Sequence, residues 1–247
     1  TMAERLRARG IHDVRVIHNW ADGDAIRPAP TDPHSLRAEW GWQGRFVVLY
    51  SGNFGLAHEF ETLLDAANLL RGRPEVRFAF VGGGPRLDEV KRRAGELALP
   101  NVEFHPYVSR SDLGLSLTAA DLHVVTLRRR MPGLLVPSKV YGILAAGRPT
   151  LYVGPPEGEI HDIVREARCG TTVENGDAES LAMTIRGYIE NRWQCEEEGR
   201  RARQVFDDRF AKGKALEEWA KLIESLGSMS SPRPEEIHSP APTRTSS

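Results

Sequence analysis

Six short apolar runs alternate with helical stretches between residues 46 and 173, and this alternation constrains the fold most strongly. Each run is apolar along its length instead of alternating with polar residues. Such strands are typical of a parallel sheet covered on both faces by helices. Because crossovers between parallel strands are right-handed, we predict an α/β fold with a doubly wound parallel sheet. The predicted strands span residues 46–50, 77–81, 102–104, 122–127, 150–153 and 171–173.

Helical patterns fill the gaps between these strands and continue to the C-terminal side of them. The predicted helices span residues 59–71, 86–97, 112–119, 138–146 and 159–168, with three more between 178 and 226. In the last of these, Leu216, Trp219, Ile223 and Leu226 form an apolar stripe at helical spacing. We expect the stripe to pack on the sheet domain; the alternative is that it docks on a neighbouring domain.

The two ends of the chain differ from this middle part. Residues 2–9 read as the end of a helix closed by Gly10, followed by a short strand at 14–17. We therefore expect residues 1–45 to be the remnant of an N-terminal domain and an interdomain linker, and residues 46–226 to form one Rossmann-like domain. Residues 227–247 are rich in Ser, Pro, Arg and Thr, which predicts a disordered tail.

Composition removes several classes of function. The formal net charge of −1 gives no electrostatic reason for binding nucleic acid. No apolar run approaches the roughly 20 residues of a membrane-spanning helix, so no such segment is expected. The two cysteines, Cys169 and Cys195, form no CxxC pair and suit a reducing, cytoplasmic compartment.

The clearest candidate for anion binding is the stretch PSKVYGILAAGRP at residues 137–149. Pro137 ends a loop, Ser138 is placed to cap a helix, and Lys139 falls in the first helical turn. A cation is disfavoured there, because the N-terminus of a helix already carries partial positive charge. A lysine in that position indicates that an anion such as a phosphate lies over the helix end.

A second candidate follows the first predicted strand. Gly52 and Gly55 flank Asn53 in a strand-to-helix turn, where glycines let backbone N–H groups approach an anion. A tight turn without a ligand needs the same residues, so both interpretations stay open. His58 either hydrogen-bonds a phosphate or caps the turn.

The remaining strand ends carry weaker signals. Pro106 and Tyr107 offer a rigid loop and a flat surface for a nucleobase, and Gly133 lets its loop fold over a ligand. Glu157 and Glu159 suit hydroxyl recognition, although Glu159 also fits as a first-turn helix acid. The arginines at these ends are either phosphate ligands or structural and solvated charges; they are Arg86, Arg128, Arg129 and Arg130.

Several familiar sites are missing from the sequence. The turn at residues 81–86 does not complete GxGxxG, because Leu87 occupies the last glycine position, which argues against a nicotinamide oxidoreductase. The histidines show neither HxxH nor HExxH zinc spacing. Asp22 and Asp24 form a DxD pattern, but no predicted strand supports it, so no metal site is expected.

With these residues in place, the chain resembles the C-terminal half of a family 4 glycosyltransferase of the GT-B fold. Within that family it is most similar to the bacterial group that builds exopolysaccharide or lipopolysaccharide, of the colanic-acid or O-antigen type. The resemblance is carried by residues 16–22, 51–55, 81–85, 120–122 and 136–149.

The resemblance implies a retaining, metal-independent transfer from a UDP- or GDP-type nucleotide sugar, with no other cofactor. The acceptor, a cell-surface glycan or a lipid-linked molecule, would be held by a separate N-terminal domain, and the enzyme would work in the cytoplasm or at the inner membrane face. Lys139 and His58 would act on the leaving diphosphate. The donor-binding residues would be Gly52, Asn53, Gly55, Pro106, Tyr107, Ser138, Lys139 and Glu159.

The sequence departs from the family at two positions. The usual pair of glutamates falls on Leu134 and Gly142, and neither is acidic. Two alternatives to a transferase therefore stay open: a non-catalytic nucleotide-sugar-binding fragment that needs a separate acceptor domain, and a sugar-nucleotide epimerase of the same fold.

Overall fold

A computed structural model describes residues 2–31, 34–131 and 133–229. Six strands form one sheet in which every pair is parallel, with the order β3-β2-β1-β4-β5-β6. This order confirms the predicted doubly wound sheet, since the chain moves outward from β1 in one direction and then in the other. The strands are β1 Phe46–Asn53, β2 Val76–Gly83, β3 Val102–His105, β4 Leu122–Thr126, β5 Thr150–Val153 and β6 Gly170–Val173.

The helices between the strands lie where the sequence predicts them. A π-helical turn, Phe206–Phe210, separates the last two helices. The helices are α1 Met2–Arg7, α2 Ser35–Glu39, α3 Glu61–Leu69, α4 Leu87–Glu96, α5 Leu113–Thr118, α6 Lys139–Ala145, α7 Glu159–Glu166, α8 Ala178–Glu190, α9 Arg192–Val205 and α10 Lys212–Met229.

Alternating side chains of the central strands supply the cores on the two faces of the sheet. Val48 and Tyr50 of β1 pack in one core, whereas Val47 and Leu49 pack in the core on the opposite face. All four are at most 1% exposed, which explains why β1 is continuously apolar.

The strand predicted near the N-terminal end is wrong, and helix α10 extends into the first residues of the predicted tail. Residues 14–17 form no strand, and Val16 is 54% exposed. The tail was predicted to begin at residue 227, but helix α10 continues to Met229. Residues 230–247 of the predicted tail lie outside the described residues. No helix in the described ranges has the length and apolar character needed to cross a membrane.

The stripe on α10 does not pack on the sheet domain, contrary to the favoured expectation. Its four side chains remain between 44% and 64% exposed. Helix α10 contacts the π-helical turn and the leading segment, defined here as residues 8–31, where Arg15 donates to the Ser225 hydroxyl at 3.3 Å. The apolar stripe therefore faces away from both cores.

A buried ion pair ties α2 to the sheet. Arg37 Nη1 lies 3.1 Å from the Asp121 carboxylate, and the two side chains are 6% and 7% exposed. The Asp121 carboxylate also accepts from the Val47 amide at 2.8 Å and from Arg192 at 2.8 Å. Arg37 donates further hydrogen bonds to the backbone carbonyls of Ala119, Trp42 and Arg45.

His123 makes the folded state sensitive to acid. Its side chain is fully buried in β4, and burial lowers its pKa from 6.5 to about 4. Since the unfolded chain takes up the proton first, stability present above pH 6.5 is lost as the pH falls toward 4, by about 2–3 kcal/mol for this one group. Urea unfolding at pH 7 and pH 4.5 should show that His123→Gln loses less free energy of unfolding on acidification than the parent does. Equal losses would contradict this assignment.

Candidate functional site

The largest cluster of predicted site residues lines a cleft at the point where the strand order reverses. Strands β1 and β4 are neighbours but lead to helices on opposite faces, so their carboxyl ends leave a crevice between them. We call this crevice, of about 670 Å³, the switch-point cleft. Seven of the predicted residues line it: Gly52, Asn53, Gly55, His58, Tyr107, Ser138 and Lys139.

Three other predicted residues do not line the switch-point cleft. Pro106 is exposed beside Tyr107, and its ring does not contribute to the cleft wall. Gly133 and Glu159 line a small neighbouring cavity, which shares Leu135 and Val136 with the cleft.

Lys139 is the most informative side chain of the cleft. Its Nζ is buried and has no hydrogen-bond partner within the described part of the chain. It lies 3.5 Å from the centroid of the Tyr50 ring and the same distance from where a Cβ on Gly52 would stand. Burial lowers the pKa of Lys139 well below its usual value. A buried ammonium without a hydrogen-bond partner is costly, and an anion beside it would relieve that cost.

Two glycines at the ends of β1 and β2 are needed for packing, and one of them, Gly52, lines the cleft. Gly52 and Gly82 sit side by side in β1 and β2, with φ of +132° and +135°. A Cβ on Gly82 would collide with the carbonyl oxygen of Gly52. Part of the glycine signal in the sequence therefore reports close strand contact, and the same contact leaves the Gly52 backbone open toward Lys139.

His58 is anchored to the sheet and is neutral at pH 7. Its Nδ1 donates to the Thr126 carbonyl at 2.7 Å, at the end of β4. Burial, and then the nearby Lys139, lower its pKa to about 4. The neutral ring carries its proton on Nδ1, so Nε2 is an acceptor. The predicted capping role is replaced by this tie between the β1–α3 loop and β4.

Ser138 and Tyr107 also line the cleft. Ser138 precedes α6 but makes no side-chain capping hydrogen bond, so the predicted cap is not formed and its exposed side chain remains at the cleft. The Tyr107 hydroxyl donates to the Gly83 carbonyl at 3.0 Å, and its ring lies over Gly82 and Gly83. Tyr107 is 59% exposed, so it presents a flat aromatic surface.

Of the arginines predicted as alternatives, Arg86 and Arg128 are structural, whereas Arg129 and Arg130 are exposed surface charges. Arg86 is 4% exposed and is held by Glu61 at 2.6 Å and Glu89 at 2.7 Å. Arg128 donates to the His58 carbonyl at 3.1 Å, and Arg129 pairs with Glu174 at 3.3 Å. None of these side chains lines the switch-point cleft.

Sequence reasoning missed one wall of the cleft. Residues 19–22 and Arg110 line it, although residues 19–22 were noted only in the family resemblance and, for Asp22, in the DxD pattern. Asp22, one half of the DxD pattern, instead accepts from the amides of Asp24 and Ala25 at 3.0 Å. No group of three or more His, Cys, Asp or Glu side chains in the described ranges is arranged to hold a metal ion.

The two positions where the family carries glutamates do not supply a carboxylate to the cleft. Gly142 lines the wall, where a Cβ would press on Leu117 at 3.1 Å. Leu134 is 55% exposed and lies outside the cleft lining. Among the described residues, Asp22 is the acidic residue that lines the cleft.

Glu159 is engaged with two side chains. Its Oε1 accepts from the Tyr141 hydroxyl at 2.9 Å and lies 3.0 Å from His18 Nδ1. The His18 hydrogen bond, more than any other contact, lowers the pKa of Glu159. A glycine with φ of +108°, Gly158, precedes it and turns the chain from β5 into α7.

Known proteins with similar sequences are glycosyltransferases. Residues 34–205 match the family model described as glycosyl transferases group 1. The chain is 30% identical over 226 residues to the probable glycosyltransferase WbjE of Pseudomonas aeruginosa, covering 90% of this chain and 56% of WbjE. It is 36% identical over 151 residues to the putative colanic acid biosynthesis glycosyl transferase WcaI of Escherichia coli K12, covering 60% of this chain and 37% of WcaI. The chain therefore spans about half the length of these relatives, or less.

Solved structures show the same fold. HepE of Anabaena, crystallised in complex with UDP-glucose, superposes with a TM-score of 0.74 at 22% identity, covering 85% of this chain and 57% of HepE. Sucrose-phosphate synthase from Thermosynechococcus elongatus gives a TM-score of 0.74 at 20% identity, covering 93% of this chain and 57% of that one. The fold is thus one Rossmann-like half of the GT-B type. Since the family model covers most of the chain, this protein belongs to the glycosyl transferases group 1 family.

Proposed function

We propose that this chain is the donor-binding half of a retaining, metal-independent glycosyltransferase that uses a UDP- or GDP-type nucleotide sugar. The observation that carries the proposal is the buried Nζ of Lys139, which faces Gly52 in the switch-point cleft and has no hydrogen-bond partner among the described residues. A diphosphate is the anion that the transferase family and the position at a strand-order reversal both favour.

The residues of the cleft would have different roles in binding the donor. Lys139 and the backbone of Gly52, Asn53 and Gly55 would hold the diphosphate, and Ser138 would add a hydroxyl. As the sugar leaves, negative charge grows on the diphosphate, and a fixed cation in a dry site stabilises that charge without a metal ion. Tyr107 would lie against the base, and the unprotonated Nε2 of His58 would accept a hydrogen bond.

The acceptor is proposed to bind elsewhere in the whole protein. Because the chain spans about half the length of its relatives, we place the acceptor site in a domain preceding residue 46. The similarity to WcaI, named for colanic acid biosynthesis, supports a family 4 enzyme of the colanic-acid or O-antigen type with a cell-surface glycan or lipid-linked acceptor. A lipid-linked acceptor would bring the enzyme to the inner face of the membrane.

Calorimetric titration with UDP, GDP, ADP and their sugar conjugates tests the proposal. One base should bind clearly more tightly than the other two, and a transfer assay with the full-length protein should then turn over only that donor. Binding without transfer would identify a nucleotide-sugar-binding module. Binding of none of the ligands would contradict the donor-site assignment.

The charge of the phosphate site can be tested with a nearly isosteric change. Asn53→Asp should weaken diphosphate binding about five- to tenfold, because a carboxylate would stand beside the anion at a solvated edge. Asn68→Asp, on α3 outside the cleft, adds the same charge and should leave the affinity unchanged. The two are compared by titration at low salt; equal affinities would place the anion elsewhere.

A further inference from the structure

Glu159 connects the two walls of the switch-point cleft without lining it. One of its partners, His18, directly precedes residues 19–22, which form one wall. The other partner, Tyr141, lies in α6 between Lys139 and Gly142, which form a second wall. We call Glu159, His18 and Tyr141 the Glu159 bridge.

The aromatic ring of Phe210 packs against two members of the Glu159 bridge. The Phe210 ring meets His18 edge-on at 5.3 Å and the Tyr141 ring at 5.1 Å. Phe210 is 1% exposed and Tyr141 is 2% exposed, so neither ring is free to move toward solvent. The geometry around Glu159 is therefore fixed on three sides: by the leading segment, by α6 and by the π-helical turn.

The two hydrogen bonds of the Glu159 bridge both end on one carboxylate oxygen. A single ionised oxygen receives both donors, and hydrogen bonds to a charged group are about twice as strong as neutral ones. Burial and the Glu159 carboxylate raise the pKa of Tyr141, so its hydroxyl keeps the proton that it donates. Removing the carboxylate leaves the Tyr141 hydroxyl buried without its acceptor and releases His18 from α6.

We propose that Glu159 is a positioning residue, which sets the separation of the two cleft walls and does not itself touch the donor. This inference rests on the proposed function, because its main readout is nucleotide affinity. It assigns Glu159 a different task from hydroxyl recognition, since its Oε1 accepts from a residue beside each wall and Glu159 does not line the cleft.

The test compares nucleotides with and without their sugar. Glu159→Ala should weaken the binding of UDP and UDP-glucose, or of GDP and GDP-mannose, by the same factor of about ten. The factor is shared because the spacing of the walls affects the diphosphate, which both ligands contain. Glu159→Gln should recover at least half of the loss on a logarithmic scale, since an amide oxygen still accepts from Tyr141. Tyr141→Phe should cost about threefold, and Glu157→Ala, in the same loop, should cost nothing.

A readout without ligand separates the two proposals. Hydrogen exchange of the Val140 and Tyr141 amides should speed up at least tenfold in Glu159→Ala and stay near the parent rate in Glu157→Ala. If the parent binds none of the four nucleotides, the proposed function fails, and the exchange rates alone decide the bridge. A loss confined to the sugar conjugates, or unchanged exchange, would overturn the positioning role.

Discussion

Replacing Lys139 with methionine is expected to abolish diphosphate binding and, at the same time, to stabilise the protein. The Lys139 ammonium is buried against the Tyr50 ring without a hydrogen-bond partner in the described residues, and burial lowers its pKa. Methionine has a similar length and needs no partner, so the desolvation cost of the ammonium disappears. We expect an affinity loss of at least about 100-fold with a gain of about 1–2 kcal/mol in the free energy of unfolding.

The matched control for this substitution is Lys91→Met. Lys91 also places its Nζ over an aromatic ring, 5.8 Å from the centroid of Phe104, but it is exposed on α4 outside the cleft. Its replacement should change neither affinity nor stability by more than about 0.5 kcal/mol. Titration and urea unfolding measure both quantities. A Lys139→Met variant that binds as tightly as the parent would remove the basis of the donor-site proposal.

Removing the Asp121 carboxylate should strongly destabilise the fold. Asp121→Ala would leave the Arg37 guanidinium buried without its counter-charge and the Val47 amide without its acceptor. Breaking a buried ion pair from one side costs about 3–5 kcal/mol, because the remaining charge stays desolvated. Urea unfolding at neutral pH measures the loss.

An exposed pair provides the comparison. Asp24 Oδ1 and Arg27 Nη2 lie 2.8 Å apart, which is close to the distance in the buried pair, but their side chains are 92% and 69% exposed. Asp24→Ala should therefore cost less than about 1 kcal/mol, since exposed ion pairs contribute little. Similar losses in the two variants would mean that burial of the Arg37–Asp121 pair does not govern its contribution.

The sheet was predictable because its strands are buried on both faces and therefore read as apolar runs. Apolar runs predicted strands wrongly where burial was incomplete. The apolar run of β1 ends at Tyr50, yet the strand continues to Asn53, since Gly52 and Asn53 pair with the glycines at the end of β2. Conversely, the run from Val14 to Ile17 looks like a strand, but no strand in the described ranges pairs with it and the chain stays irregular. Apolar character alone does not supply a pairing partner.

The site was predictable to the extent that topology gathers strand ends. Gly52 and Lys139 come together because β1 and α6 meet at the reversal of strand order. The structural role of Arg86 was not predictable, since its acceptors include Glu61, which lies 25 residues earlier. The same holds for Glu159, whose partner His18 is 141 residues away.

The close approach of the Gly52 carbonyl to the Gly82 backbone limits how the ligand preference of the protein can be altered. A side chain cannot be introduced at Gly82 without parting β1 from β2, so a library built at that position is expected to destabilise the sheet. Variation is tolerated instead at exposed wall positions, and Trp20, Tyr107 and Arg110 are where randomisation would redirect ligand preference while the sheet stays intact.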